Sequence, residues 1–254
     1  MYDILVPQEF FAYALVFARV GAVLMQMPAI GETYISPRIR LMFGMMLTLI
    51  VTPVVRDGLP AMPDSILLIL LLLLAEILIG VFIGSIMRIV ILTMATTGAV
   101  MSFVSGFAAA QAFNPMLQGQ GALHTVVLTL TATAVILATD THHLLIMATV
   151  DSYQLFNPGE VPILEDFSQT IARTVARSFV VGVQFASPFL LGAIIYNSLL
   201  GLLARLMPNL QIFFVAMPLQ ILLGIILFAL IISSVILWFM RYFTETIAPF
   251  VVVS

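Results

Sequence analysis

Long apolar stretches occupy residues 10–30, 41–55, 66–98, 122–139, 178–204 and 211–240, and short polar, proline- or glycine-bearing segments separate them. The punctuation is clear: Gly31 to Pro37, Pro53 to Pro63, Asn157 to Asp166, and Met207 to Asn209. A helix needs about 20 apolar residues to cross about 30 Å of hydrocarbon, and most of these stretches approach or exceed that length. Strand-like alternating segments of about ten residues, the mark of a membrane barrel, are missing, and no repeat of about 20–50 residues is evident. The pattern predicts an all-α membrane protein, folded as one membrane-embedded domain over 1–254.

The fit to simple spans is poor, and the misfit is informative. Stretch 41–55 is short, whereas 66–98 is too long for one perpendicular crossing. Residues 89–139 carry no charged side chain, yet Gly106, Asn114, Pro115, Gly119 and Gly121 interrupt any helix in their middle. Unsatisfied backbone groups cost several kcal/mol each in lipid, so such a break survives only where it is buried in protein or lines a watery cavity. Charge does not fix the orientation either. With six spans, Arg38, Arg40, Arg88 and Arg205 fall on one side and Arg56, Arg173, Arg177 and Arg241 on the other, a tie under the positive-inside rule. The helices answer to protein neighbours as much as to lipid.

Composition narrows the chemistry. Of 254 residues, 62% are hydrophobic and 8% charged, with a mean hydropathy of +1.20, whereas a soluble domain is about one-quarter charged. All nine basic residues are arginine, which excludes a P-loop lysine, a Schiff-base lysine and a Ser/Lys dyad. A net charge of −3 with no basic run argues against nucleic acid. Cysteine is absent, so disulfides and thiolate sites are excluded. The first ten residues hold Asp3 and Glu9 and no basic group, so no cleavable signal peptide is expected.

A few polar residues stand out. Arg19 and Glu76 lie inside apolar stretches, where a charge is costly and normally paired; together with Arg88 they read as a structural ion pair or a contact to another subunit. Glu76 is expected to be satisfied by Arg19, Arg88 or a neighbouring chain. Gly80-Val-Phe-Ile-Gly84 is a small-xxx-small pattern that lets helix backbones approach, a pattern that also arises by chance in so apolar a chain. His142 and His143 follow Asp140. Adjacent histidines cannot both face one ion on a regular helix, so a polar cap is expected there and no metal. His124 has no nucleophile elbow near it, no pair of intramembrane Asp occurs, and neither catalysis nor a cofactor is expected.

Two stretches are distinctive beyond composition. One is Ser105-Gly-Phe-Ala-Ala-Ala-Gln-Ala-Phe-Asn-Pro-Met-Leu-Gln-Gly-Gln-Gly121, followed by Asp140-Thr-His-His-Leu-Leu145. The other is Gly201-Leu-Leu-Ala-Arg-Leu-Met-Pro-Asn-Leu-Gln-Ile-Phe-Phe-Val-Ala-Met-Pro-Leu-Gln-Ile-Leu-Leu-Gly224. With the Arg38-Ile-Arg40 turn, they resemble the FliR family of the bacterial flagellar type III export gate, in order and over the whole chain. Asp-Thr-His-His stands where that family often has Asp-Gly-His-His.

The resemblance implies tilted helical hairpins, in a FliP-like part of about 1–177 and a FliQ-like hairpin of about 178–254 with its turn at Met207, Pro208 and Asn209. It implies a hetero-oligomeric spiral with FliP-like and FliQ-like subunits, contact with FlhB-like and FlhA-like proteins, and unfolded flagellar proteins as the substrate. The setting is the flagellar basal body in the bacterial inner membrane. The segment 106–121 would close the pore as a plug. There Gly106, Gly119 and Gly121 supply conformational freedom and Pro115 stops a helix. Phe107, Phe113, Met116 and Leu117 would fill the passage, while Gln111 and Asn114 bond freed backbone groups. Two other readings stay open: an injectisome counterpart, against which Phe-Asn-Pro-Met weighs, and a small-solute secondary transporter with a midplane site at the broken helix, for which no inverted repeat is found.

Overall fold

The structure is a computed structural model that describes residues 2–106, 123–160, 162, 164–207 and 212–251. Among them are eight α-helices and no strand: α1 (Tyr2–Gln26), α2 (Pro37–Val55), α3 (Ile66–Val104), α4 (Leu123–Ala138), α5 (His142–Leu155), α6 (Leu164–Phe185), α7 (Ser187–Leu206) and α8 (Ile212–Ile247), with short 3₁₀ turns at Arg56–Gly58 and Ala248–Phe250. The chain is an all-α membrane protein. Five helices, α1, α2, α3, α7 and α8, are long and apolar enough to cross a membrane, and the pair α4 and α5, bent by 75°, makes a sixth if it is one broken span.

Local chemistry sets several boundaries. The short apolar stretch at 41–55 becomes a full helix because Ser36 caps it, its Oγ accepting from the N–H of Ile39 at 3.4 Å, with Pro37 at the first helical position. Such a cap satisfies an orphan N–H, and proline there loses no bond. α3 runs for 39 residues without a break; at 1.5 Å per residue it is about 58 Å long, far more than a perpendicular crossing needs. Stretch 178–204 is not one helix. α6 ends at Phe185 and α7 starts at Ser187, because Pro188 has no N–H to continue the ladder and its ring crowds the preceding turn. α6 also carries Glu165, Asp166, Arg173 and Arg177, and is not among the helices apolar enough to span.

By packing, the chain divides into two compact units that interleave along the sequence. Unit 1 comprises 1–90, 136–175 and 243–254, and unit 2 comprises 91–135 and 176–242. Val16, Val20 and Val23 of α1, Ile79 and Ile83 of α3, and Leu145 and Ala148 of α5 are buried in unit 1. Unit 2 buries Met94 and Met101 of α3, Leu128 and Ala132 of α4, and Phe189 and Phe239 of α7 and α8. Each unit also turns large apolar side chains outward: Met42, Met46, Ile50 and Val54 on α2, and Leu191, Ile195, Leu199, Leu202 and Leu206 on α7. Contiguous apolar faces of that size belong against lipid or partner subunits.

Candidate functional site

The most constrained polar feature of unit 1 is Arg19. Its side chain is 0% exposed and that of Glu76 is 1% exposed. Nε donates to Glu76 Oε2 at 2.6 Å and Nη2 to Glu76 Oε1 at 3.1 Å, a two-pronged pair. Nη1 donates to the Ser152 carbonyl at 3.0 Å and to the Phe156 carbonyl at 3.1 Å, and Nη2 also reaches the Phe156 carbonyl at 3.1 Å. The guanidinium also lies over the Tyr153 ring, 4.0 Å from its centroid. An arginine offers five N–H donors in a fixed fork, and this arrangement uses its whole edge. The two carbonyls lie at the C-terminal end of α5, where the helix dipole favours a cation. Arg19 thus pins α1 to α3 and to the end of α5.

Glycine makes the approach possible. Gly80 lies one turn beyond Glu76 on α3, and a Cβ there would stand 2.5 Å from the Arg19 carbonyl oxygen; one at Gly84 would stand 3.0 Å from the Gln26 Cβ. Gln26 adds a bond from Nε2 to the Val81 carbonyl at 3.2 Å and accepts from Ser85 Oγ at 3.0 Å. The small-xxx-small pattern is therefore the crossing of α1 and α3. Arg88 does not join this cluster; it pairs with Glu32 at 2.8 Å in a partly exposed setting. Arg40 donates to the carbonyls of Ile30, Glu32 and Ile35 and so gathers the loop between α1 and α2. Arg56 pairs with Glu9 near the surface.

Among the described residues, unit 2 has no buried ion. A Cβ at Gly98 would stand 2.4 Å from the Thr125 Cα, so α3 and α4 touch backbone to backbone. Beside this contact His124 Nδ1 and Ser102 Oγ are 2.9 Å apart, and the rings of Phe189 and Phe228 present edges to the imidazole. His124 is a satisfied core residue. At the end of α3, Gly106 adopts φ +80, a conformation that costs other residues. Gln220 of α8 donates from Nε2 to the Val104 carbonyl at 2.8 Å, and Gly224 leaves room for Ser105. An apolar cavity of about 310 Å³ opens here between Phe189, Tyr196, Gln220 and Leu227.

Gly106 is the only residue of the expected plug inside the described set. Phe107, Gln111, Phe113, Asn114, Pro115, Met116, Leu117, Gly119 and Gly121 lie outside the described residues, as do Pro208 and Asn209 of the expected hairpin turn. Met207 caps the end of α7, its N–H donating to the Leu203 carbonyl at 2.9 Å. Asp140, His142 and His143 do come together: their ligand atoms lie within 4.8 Å of one another. Reasoning from sequence missed Ser152 and Phe156, which act through backbone carbonyls that no side-chain pattern reveals. It also missed Gly98 and the capping role of Gln220, although Gln220 stands inside one of the two distinctive stretches.

The family described as bacterial export proteins, family 1, matches residues 10–246. The chain belongs to that family. A flagellar biosynthetic protein FliR of Caulobacter vibrioides is 37% identical over 235 residues, covering 92% of this chain and 94% of the relative. The protein of that name in Bacillus subtilis is 26% identical over 93% of this chain and 92% of its own length, and that in Escherichia coli is 27% identical over 83% and 80%.

Proposed function

We propose that the chain is a structural, pore-forming subunit of the flagellar protein-export gate, needed for flagellum assembly, and helps to admit unfolded flagellar proteins across the bacterial inner membrane. The observation that carries this reading is the near end-to-end likeness to flagellar biosynthetic proteins. Helices far longer than a bilayer is thick and outward-facing apolar surfaces in both units support it, since an assembly of tilted subunits uses both. The work is conduction and scaffolding, not catalysis.

In this reading the chain joins FliP-like and FliQ-like subunits in a spiral in the flagellar basal body, with FlhB-like and FlhA-like proteins beside it. Residues to about 177 form the FliP-like part and those from about 178 the FliQ-like hairpin. Segment 106–121 closes the pore, held at one end where Gln220 caps α3. Arg19 and Glu76 hold the shape that partners recognise. The flagellar names of the relatives favour this gate over an injectisome counterpart, and the absence of an inverted repeat weighs against a solute transporter.

Two measurements test the proposal. Co-expression with FliP-like and FliQ-like subunits yields one discrete complex in mild detergent; a monodisperse, well-folded monomer that ignores them contradicts it. Deletion of 110–117 leaves assembly intact and makes the membrane leak ions or small solutes. A fully assembled deletion complex as tight as wild type means that something else closes the pore.

A further inference from the structure

The turn between α4 and α5 carries donors that the export reading leaves unused. Asp140, His142 and His143 place a carboxylate oxygen and two imidazole nitrogens within 4.8 Å of one another. The rings are 4.2 Å apart and inclined by 33°. Nδ1 of His142 is buried without a hydrogen-bond partner, although a buried polar atom ordinarily has one. On a regular helix adjacent side chains diverge by about 100°, yet here the helix has only just begun. Asp140 sits at φ +57 and folds back over the first turn, its carbonyl accepting from the His143 N–H at 3.0 Å.

The local charge suits a cation. The C-terminal end of α4 and the N-terminal end of α5 meet at this turn, so their partial charges of opposite sign offset, and the Asp140 carboxylate remains. No arginine lies between Arg88 and Arg173 in the sequence. We propose that Asp140, His142 and His143 form a site for a divalent ion of borderline softness, zinc being the type. Imidazole and carboxylate suit such an ion, and three protein ligands leave a fourth tetrahedral position open. Ligands on zinc at about 2.0–2.1 Å stand about 3.3 Å apart, a closure that rotation of the exposed Asp140 and His143 side chains supplies. The bound ion ties Asp140 to the first turn of α5.

The chain itself makes the test clean. It has three histidines and no cysteine, and the third, His124, is buried and paired with Ser102. The full chain, free of any histidine tag and co-purified with its partner subunits, is titrated with Co²⁺ and then competed with Zn²⁺. The wild type is expected to take up one Co²⁺ per chain with a visible ligand-field band that Zn²⁺ abolishes. His142→Gln, His143→Gln and Asp140→Asn are each expected to weaken binding at least tenfold, and Thr141→Ala to leave it unchanged. Equal binding by the wild type and an assembled His142→Gln/His143→Gln double variant overturns the proposal. So does a wild-type complex with no saturable Co²⁺ band, whatever the variants do.

Discussion

The two units solve the same problem, polar groups in an apolar helical body, in opposite ways. Unit 1 buries an ionised pair, Arg19 and Glu76, and spends every edge of the guanidinium on named acceptors. Among its described residues unit 2 buries neutral polar groups: His124 against Ser102, the Thr97 hydroxyl against the Gly182 carbonyl at 3.1 Å, and Gln220 against Val104. Its helices come close through Gly98 and Gly224, as those of unit 1 do through Gly80 and Gly84. A buried ion pair gains little over well-packed apolar residues but is severely damaged when one partner goes. Neutral bonds degrade gently, by about 1 kcal/mol each. Unit 1 therefore holds its geometry in an all-or-none manner, and unit 2 by many small contacts.

The sharpest way to break that contrast is at Glu76. Glu76→Leu strands a buried guanidinium and is expected to cost about 3–5 kcal/mol, read as loss of folded protein or a large fall in melting temperature in detergent. Glu76→Gln keeps shape and a hydrogen bond; from sequence it promises to be mild, but Arg19 has no other carboxylate among the described residues, so a loss between wild type and Glu76→Leu is expected. The double variant Arg19→Met/Glu76→Leu removes both charges and is expected to recover most of the stability. A double variant as unstable as Glu76→Leu alone would show that Arg19 acts through its carbonyl contacts rather than its charge.

The next largest effect lies in unit 2. Gly98→Val drives a branched side chain into the backbone at Thr125, an overpacking error of about 1–3 kcal/mol that thermal unfolding should register. Gln220→Leu frees the Val104 carbonyl and is expected to cost about 1 kcal/mol; an unchanged melting temperature means that another donor takes over that carbonyl. The smallest effect belongs to Arg88→Gln. Its pair with Glu32 is partly exposed, and such pairs contribute about 0–1 kcal/mol. A loss as large as that of Glu76→Leu would erase the distinction between the buried pin and the peripheral pairs.

Much of the fold was legible in the chain, for physical reasons that also mark where legibility stops. Apolar length alone locates α1, α3 and α8, because lipid demands it. The end of α3 at Val104 was legible too, since Gly106, at φ +80, leaves the helical conformation there; Asn114 and Pro115 lie outside the described residues. The break at Ala186 was not, although Pro188 stood in view, because apolar character runs straight across it. The type of residue in the pin was legible; its partners were not. Glu76 is 57 positions from Arg19, and the remaining acceptors are backbone oxygens. Asp140, His142 and His143 were set aside by a rule that holds within a helix, and the left-handed Asp140 places them at its edge instead.

The central claim, that this chain is an obligatory part of a flagellar export gate whose shape depends on the Arg19–Glu76 pin, meets its most direct test in secretion. Flagellin released into the medium is measured from cells lacking the gene and carrying wild type, Glu76→Leu or Arg19→Met/Glu76→Leu. No release without the chain, full release with wild type, little with Glu76→Leu and substantial recovery with the double variant is the expected result. Normal flagellin release in the absence of the chain would contradict it.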